Sequence, residues 1–209
     1  MKSVKIKNKL IKDLLPFIKA KYPEKYESIL MHTYIRFNEL CEENINDSKA
    51  VKAHTVEKIF PCIAIFDSLL DERISREEAS TFIDVSYCKL AEKEAKMLQN
   101  LMKIPGAYKI MPKMFTSTLK KAFGTDAGFK YKVYDTPKTR SKFDMLSCPY
   151  VTYCKKYNAP EITKSFCHSD DVKDAHIHKK LIWNRKKTMG EGDELCDFDL
   201  YIKENEDNK

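Results

Sequence analysis

Four of the seven cysteines, Cys148, Cys154, Cys167 and Cys196, fall in the last third of the 209-residue chain. His168, His176 and His178 share that span with Asp170, Asp171, Asp174, Asp193 and Asp197. Thiols, imidazoles and carboxylates at this density serve metal ligation or nucleophilic catalysis. A structural zinc site usually takes two ligands from one turn, as a Cys-x2-4-Cys pair. Cys148 and Cys154 are instead six residues apart, and the adjacent Cys167 and His168 would point in different directions from one helix. Asp174 and His178, four apart, would share a face only if one helix carried both. A zinc ion, were one bound, would take Cys148, Cys154, Cys167 and Cys196 as ligands. The loose spacing favours chemistry without a cofactor.

A thiolate nucleophile needs a depressed pKa, supplied by a helix N-terminus or a cationic neighbour. Cys148 precedes Pro149 at the end of a predicted strand, where a helix would begin and present its free N–H groups. It is the leading candidate. Cys167 falls in a predicted helix beside His168, with Asp170 and Asp171 close enough in sequence to orient an imidazole. Cys196 alternates with Phe198 along a predicted strand, which suits a core-facing side chain. Cys148, Cys154, Cys167 and Cys196 are expected to converge in space. Cys41, Cys62 and Cys88, on apolar helix faces, are expected to be small core hydrophobes. No Gly-x-Ser-x-Gly elbow occurs, and Gly190-Glu191-Gly192 is too short and polar for a phosphate loop, so a hairpin explains it.

The elements that must position these side chains change character along the chain. Ile6, Leu10, Leu14 and Ile18 recur at the helical period, and Pro23 suits the first turn of a second helix running to about residue 45. A third helix is predicted over residues 48–70, kinked at Pro61. A fourth begins at a capping box formed by Ser75 and Glu78 and stops at Ile104-Pro105-Gly106. A fifth runs over residues 108–123 and ends at Gly124 in a left-handed cap. After Gly128 the period shifts to two, with strands over 129–134, 143–146, 181–185 and 195–201. Short helices over 149–157 and 163–177 lie between them, and residues 189–194 make a hairpin loop. The predicted class is α+β: an N-terminal layer of about five helices in residues 1–127, then a small antiparallel sheet with two short helices in residues 128–203. One domain over residues 1–209 is expected, with a frayed polar tail from Glu204.

The net charge of +7 is concentrated at one end, where eight lysines stand against Asp13 and Glu24 between Met1 and Lys25. A basic stripe interleaved with stacking aromatics is missing, so no nucleic-acid partner is expected. An odd number of cysteines without a secretory signal points to a reducing compartment, and the chain is expected to be cytoplasmic. No apolar run reaches the roughly 18 residues of a membrane span, so no membrane partner is expected either. A small-molecule substrate is the expected partner.

From Ile104 onward a series of landmarks follows in order. They are Ile104-Pro105-Gly106, Lys121-Ala122-Phe123-Gly124, Gly128-Phe129, Cys148-Pro149-Tyr150-Val151 with Cys154, and Pro160-Glu161. Phe166-Cys167 with Asp170-Asp171, then His178, Trp183 with Arg185, Thr188 with Gly190, and Cys196-Asp197-Phe198 complete it. This series resembles the L-2-amino-thiazoline-4-carboxylic acid hydrolase family, strongly over about half of the chain. The resemblance implies opening of a cyclic amidine by addition of water at the carbon between ring sulfur and nitrogen, giving a carbamoyl-cysteine. Such a reaction would use Cys148 or Cys167 as nucleophile or metal ligand and His178 or His168 as general acid–base. Asp170 or Asp197 would orient the imidazole, and Arg185, with Trp183 beside it, would hold the substrate carboxylate bidentately. Cys196-Asp197-Phe198 after a glycine-containing hairpin is also similar to the four-vinyl-reductase-like domains, which implies a non-catalytic small-molecule- or metal-binding module as the alternative.

Overall fold

The computed structural model describes residues 7–203; Ile6 and the tail from Glu204 lie outside the described residues. The helical layer opens with α1 (Lys9–Lys21), where Leu10, Leu14 and Ile18 are buried and Lys19 and Lys21 close the last turn. α2 (Tyr26–Glu43) packs against the third helical run. That run comprises α3 (Lys49–His54), a π-turn (Thr55–Ile59) and α4 (Phe60–Asp71). The kink expected at Pro61 takes the form of this wide turn, in which the Phe60 N–H bonds the carbonyl of Thr55. Pro61 has no N–H and its ring crowds the carbonyl four residues earlier, and widening the preceding turn accommodates both defects.

α5 (Arg76–Leu101) starts at Ser75, whose hydroxyl accepts the Glu78 N–H at 3.2 Å. The box is half closed. The Glu78 carboxylate accepts from the Tyr22 hydroxyl at 3.1 Å and pairs with Lys21 at 3.2 Å, fastening the end of α1 to the start of α5. α6 (Met111–Ala122) follows, completing the five predicted helical runs. Gly124 does not provide the expected left-handed cap; its φ is −75°, because the chain passes from Phe123 directly into a 3-10 turn at Thr125–Ala127. The left-handed residue is Gly128, which closes that turn at φ 87°.

The sheet has the order β1-β2-β4-β3, with every pairing antiparallel. β1 is Lys130–Val133, β2 is Arg140–Ser147, β3 is Leu181–Trp183 and β4 is Cys196–Ile202. α7 (Pro149–Lys156) and α8 (Thr163–Asp174) lie between β2 and β3. The predicted pairing of the last two strands forms, with Leu181 opposite Ile202 and Trp183 opposite Leu200. Two boundaries fall earlier than expected. β3 stops at Trp183, which leaves Arg185 in the connection, and α8 stops at Asp174, so Asp174 and His178 do not share a helix. The chain leaves α8 there because Ile177 must turn in against Leu181 and Leu200.

Along β2 the alternate residues Ser141, Phe143 and Met145 are buried, as period two requires of a strand with one covered face. Phe143 stacks on Phe198 at 4.7 Å, and Met145 stands opposite Cys196. α6 covers this face, with Phe115 against Phe143 and Phe198 and a 2.6 Å bond between the Thr116 and Ser141 hydroxyls. The main helical core extends from α1, α2, α4 and α5 to Cys154 and Phe166 of α7 and α8. Among the described residues no helix is long and apolar enough to cross a membrane.

Candidate active site

Cys148, Cys167 and Cys196 line one cavity of about 120 Å³, together with Tyr150, Asp170 and Arg185. An adjoining cavity of about 230 Å³ shares Phe123, Met145, Asp170 and Phe198 with it and adds Lys173 and Asp174. Each thiol arrives on a different element. Cys148 caps α7, Cys167 lies in α8, and Cys196 opens β4. The fourth thiol of the expected group, Cys154, is fully buried in the helical core and bonds Thr163 rather than lining the cavity. Cys41 and Cys62 belong to the helical core as expected. Cys88 is buried too, but beside Asp84 and His168.

The three thiols differ sharply in acidity. Cys167 is held below the ordinary thiol value by a hydrogen bond from Cys196, the charge of Arg185 and the Gly190 N–H, which together outweigh its burial. Cys196 is correspondingly pushed up as the donor of that bond. Its own sulfur accepts the Met189 N–H at 3.3 Å. Successive N–H groups of the 3-10 turn Met189–Glu191 thus serve two sulfurs, as backbone nests do for anions. Gly190 permits that approach: a Cβ there would lie 2.8 Å from Cys167 Sγ and 3.0 Å from the Lys164 Cα. Cys148 has the strand-to-helix position expected of it and receives N–H groups of Val151 and Tyr150. Burial outweighs them and pushes its thiol up to about 12.

Arg185 carries the site's positive charge at 1% side-chain exposure. Its Nη2 donates to the Cys167 carbonyl at 2.5 Å and to Asp171 at 2.6 Å, and Nη1 lies 3.6 Å from Asp170. Its Nε and Nη1 have no hydrogen-bond partner among the described residues. A bidentate grip through a guanidinium edge would use Nη2, whose two hydrogens are already engaged, so Nε and Nη1 act as separate donors. Trp183 donates its indole N–H to Asp171 at 2.7 Å and packs edge-on to Phe198, so it braces Arg185 rather than lining the cavity.

The two histidines and one of the aspartates singled out in the sequence lie elsewhere. His178 stacks on Tyr108 with ring centroids 4.6 Å apart and accepts the Lys180 N–H. His168 bonds Asp84 on α5, 3.2 Å away. Asp197 accepts the N–H groups of Lys186 and Lys187, which fixes the turn after Arg185. Asp170 does line the thiol cavity. Among the described residues no histidine lines it.

Further polar residues complete the site, and among them His54 was not evident in the sequence. Tyr150 lies within 3.3 Å of His54 Nδ1, while His54 Nε2 is 2.7 Å from the Ala122 carbonyl. A carbonyl only accepts, so Nε2 carries the proton and Tyr150 donates its hydroxyl to Nδ1. Burial keeps His54 below its ordinary value, in the neutral form that this pattern needs. Asp174, in the wall of the larger cavity, is raised to about 7 by burial, with Lys173 at 3.5 Å opposing the shift. His54 in helix α3 carries no spacing signal that distinguishes it from a surface residue, and Asp174 was visible in the sequence only through its spacing to His178, which the early end of α8 removes. Their role depends on tertiary packing.

The family model of the L-2-amino-thiazoline-4-carboxylic acid hydrolases matches residues 52–200. The match covers more than half of the chain and every residue that lines the thiol cavity. The chain belongs to that family, and membership supports a hydrolase at the level of reaction class. No curated protein and no solved structure matches the chain.

Proposed function

We propose that the protein hydrolyses a small cyclic amidine bearing a carboxylate, of the 2-amino-thiazoline-4-carboxylate kind, to a carbamoyl-cysteine, and that Cys167 is the nucleophile. The observation that carries this reading is the pairing of the depressed Cys167 thiol with the unpartnered donors of Arg185 in one small cavity. Arg185 offers single hydrogen bonds to the substrate carboxylate, which brings the amidine carbon to the sulfur.

The amidine is basic and arrives protonated. The Cys167 thiolate adds to its carbon, and the ring carbon–sulfur bond breaks, so the ring sulfur leaves as a thiolate. An isothiouronium remains on Cys167. Water adds to the same carbon with its proton passing to Asp170, which lines both cavities, and the Cys167 thiolate departs as the remaining hydroxyl proton passes to solvent and the carbamoyl carbonyl forms. The proton held by Asp170 then reaches the product thiolate. One water is consumed, and the product retains every atom of the substrate. Tyr150, with its hydroxyl committed to His54, shapes the cavity.

Incubation of the reduced protein with 2-amino-thiazoline-4-carboxylate, followed by mass analysis, is expected to give carbamoyl-cysteine. Arg185→Lys should raise KM about ten-fold or more for this substrate, the worth of a charged hydrogen bond. The decarboxylated thiazoline should react equally poorly with both proteins. Saturable binding without product would favour the non-catalytic, four-vinyl-reductase-like alternative. Equal KM values for the two proteins would remove Arg185 from carboxylate recognition.

A further inference from the structure

On the α5 side of α8 lies a separate cleft of about 240 Å³, lined by Asp84, Lys164, His168, Asp171 and Glu191 as well as Cys167. Three donor types meet beside it, Asp84 and His168 in its wall and Cys88 buried behind them. Asp84 and Cys88 are one turn apart on α5 and share a face, and His168 reaches across from α8. Their ligand atoms all lie within 4.8 Å of one another. His168 Nδ1 is 3.2 and 3.3 Å from the two Asp84 oxygens, and Cys88 Sγ is 4.0 Å from Asp84 Oδ1.

Metal–ligand lengths of zinc with S, N and O donors make the edges of a tetrahedral site about 3.3–3.6 Å. The two carboxylate edges are already within about half an ångström of that range, and the thiol–imidazole edge needs to close by no more than about an ångström. The moving part is available: the His168 side chain is 55% exposed. An ion pair between His168 and Asp84 would account for two of the residues. It does not account for a buried thiol set on the same carboxylate and further surrounded by Glu92 and Asp171, an environment that a cation relieves.

We propose that Asp84, Cys88 and His168 bind one divalent cation of the zinc class, with its fourth position open to the cleft. The thiolate and imidazole donors select such an ion over magnesium or calcium. Binding exchanges the Cys88 proton for the metal, so at least one proton is released for each ion bound. The ion ties α5 to α8 next to Cys167, the residue before His168. This inference does not rest on the hydrolase reading.

Titration of the reduced, metal-stripped full chain with cobalt(II) tests it. One equivalent is expected to bind, with tetrahedral d–d bands and a thiolate-to-cobalt charge-transfer band. Cys88→Ser should abolish the charge-transfer band, and His168→Ala should weaken binding about ten-fold or more. The triple Cys148→Ser, Cys167→Ser, Cys196→Ser variant should keep the band. Failure of the native chain to take up stoichiometric cobalt, persistence of the band in Cys88→Ser, or its loss in the triple variant would each overturn the site. Should Cys88→Ser not fold, His168→Ala and Asp84→Asn decide: weakened binding in either supports the site, and unchanged binding in both defeats it.

Discussion

Cys167 owes its low pKa to neighbours that sequence position does not reveal. Arg185 lies 18 residues further on, and Cys196 and Gly190 come from a strand and a turn of their own. Gly190 is the most sensitive of these positions. In Gly190→Ala the new methyl would press on Cys167 Sγ and on the backbone of Lys164, and α8 cannot yield as a flexible side chain would. A displacement of about 1 Å should cost turnover roughly a hundredfold while circular dichroism stays native; an unimpaired rate would show that Cys167 does not depend on the turn. The sequence made the thiols visible as a group but ranked Cys148 first. The helix start it identified is present, but the apolar enclosure that raises Cys148 to about 12 comes from tertiary packing. Gly190 was legible as a hairpin residue and a landmark of the series but not as a neighbour of sulfur, since its closeness to sulfur depends on how the turn folds over α8.

α8 organises the site among the elements, carrying Cys167 and Asp170 on the thiol cavity and Lys173 and Asp174 on the adjoining one. Its last turn has a measurable consequence. Native Asp174 holds its proton up to about pH 7, whereas an ordinary carboxyl releases it near 3.8. Between those values the folded protein binds the extra proton, so the stabilising contribution is complete below about pH 4 and is lost as pH rises through 7. The loss is roughly 4 kcal/mol at most, since each pH unit between the two values is worth about 1.4 kcal/mol. Thermal melts of Asp174→Asn should match the native protein near pH 4 and exceed it increasingly toward pH 8; parallel curves would contradict the buried, raised carboxyl. The same scale shows what pattern reading achieves. Five helical runs and a terminal antiparallel pair follow from periodicity, because each buries one regular face. The early ends of β3 and α8, and the extended Gly124, follow from where the chain must go next.

In the whole molecule the site lies where the helical layer meets the sheet. His54 of α3 joins Tyr150 at the start of α7 to the Ala122 carbonyl at the end of α6, so both parts share one buried polar link. The α+β class was legible because the period changes after Gly128, but the meeting of distant residues at the junction was not, since no short spacing records it. The family match begins at residue 52, in α3, so α1 and α2 lie outside the matched segment that contains the cavity. The most direct measurement is peptide mapping by mass spectrometry of protein quenched during turnover of 2-amino-thiazoline-4-carboxylate. The expected result is the full mass of the substrate added at Cys167, with carbamoyl-cysteine in solution, and neither product in Cys167→Ala. Full-rate turnover by Cys167→Ala, or an adduct on Cys148 in its place, would contradict Cys167 as the nucleophile.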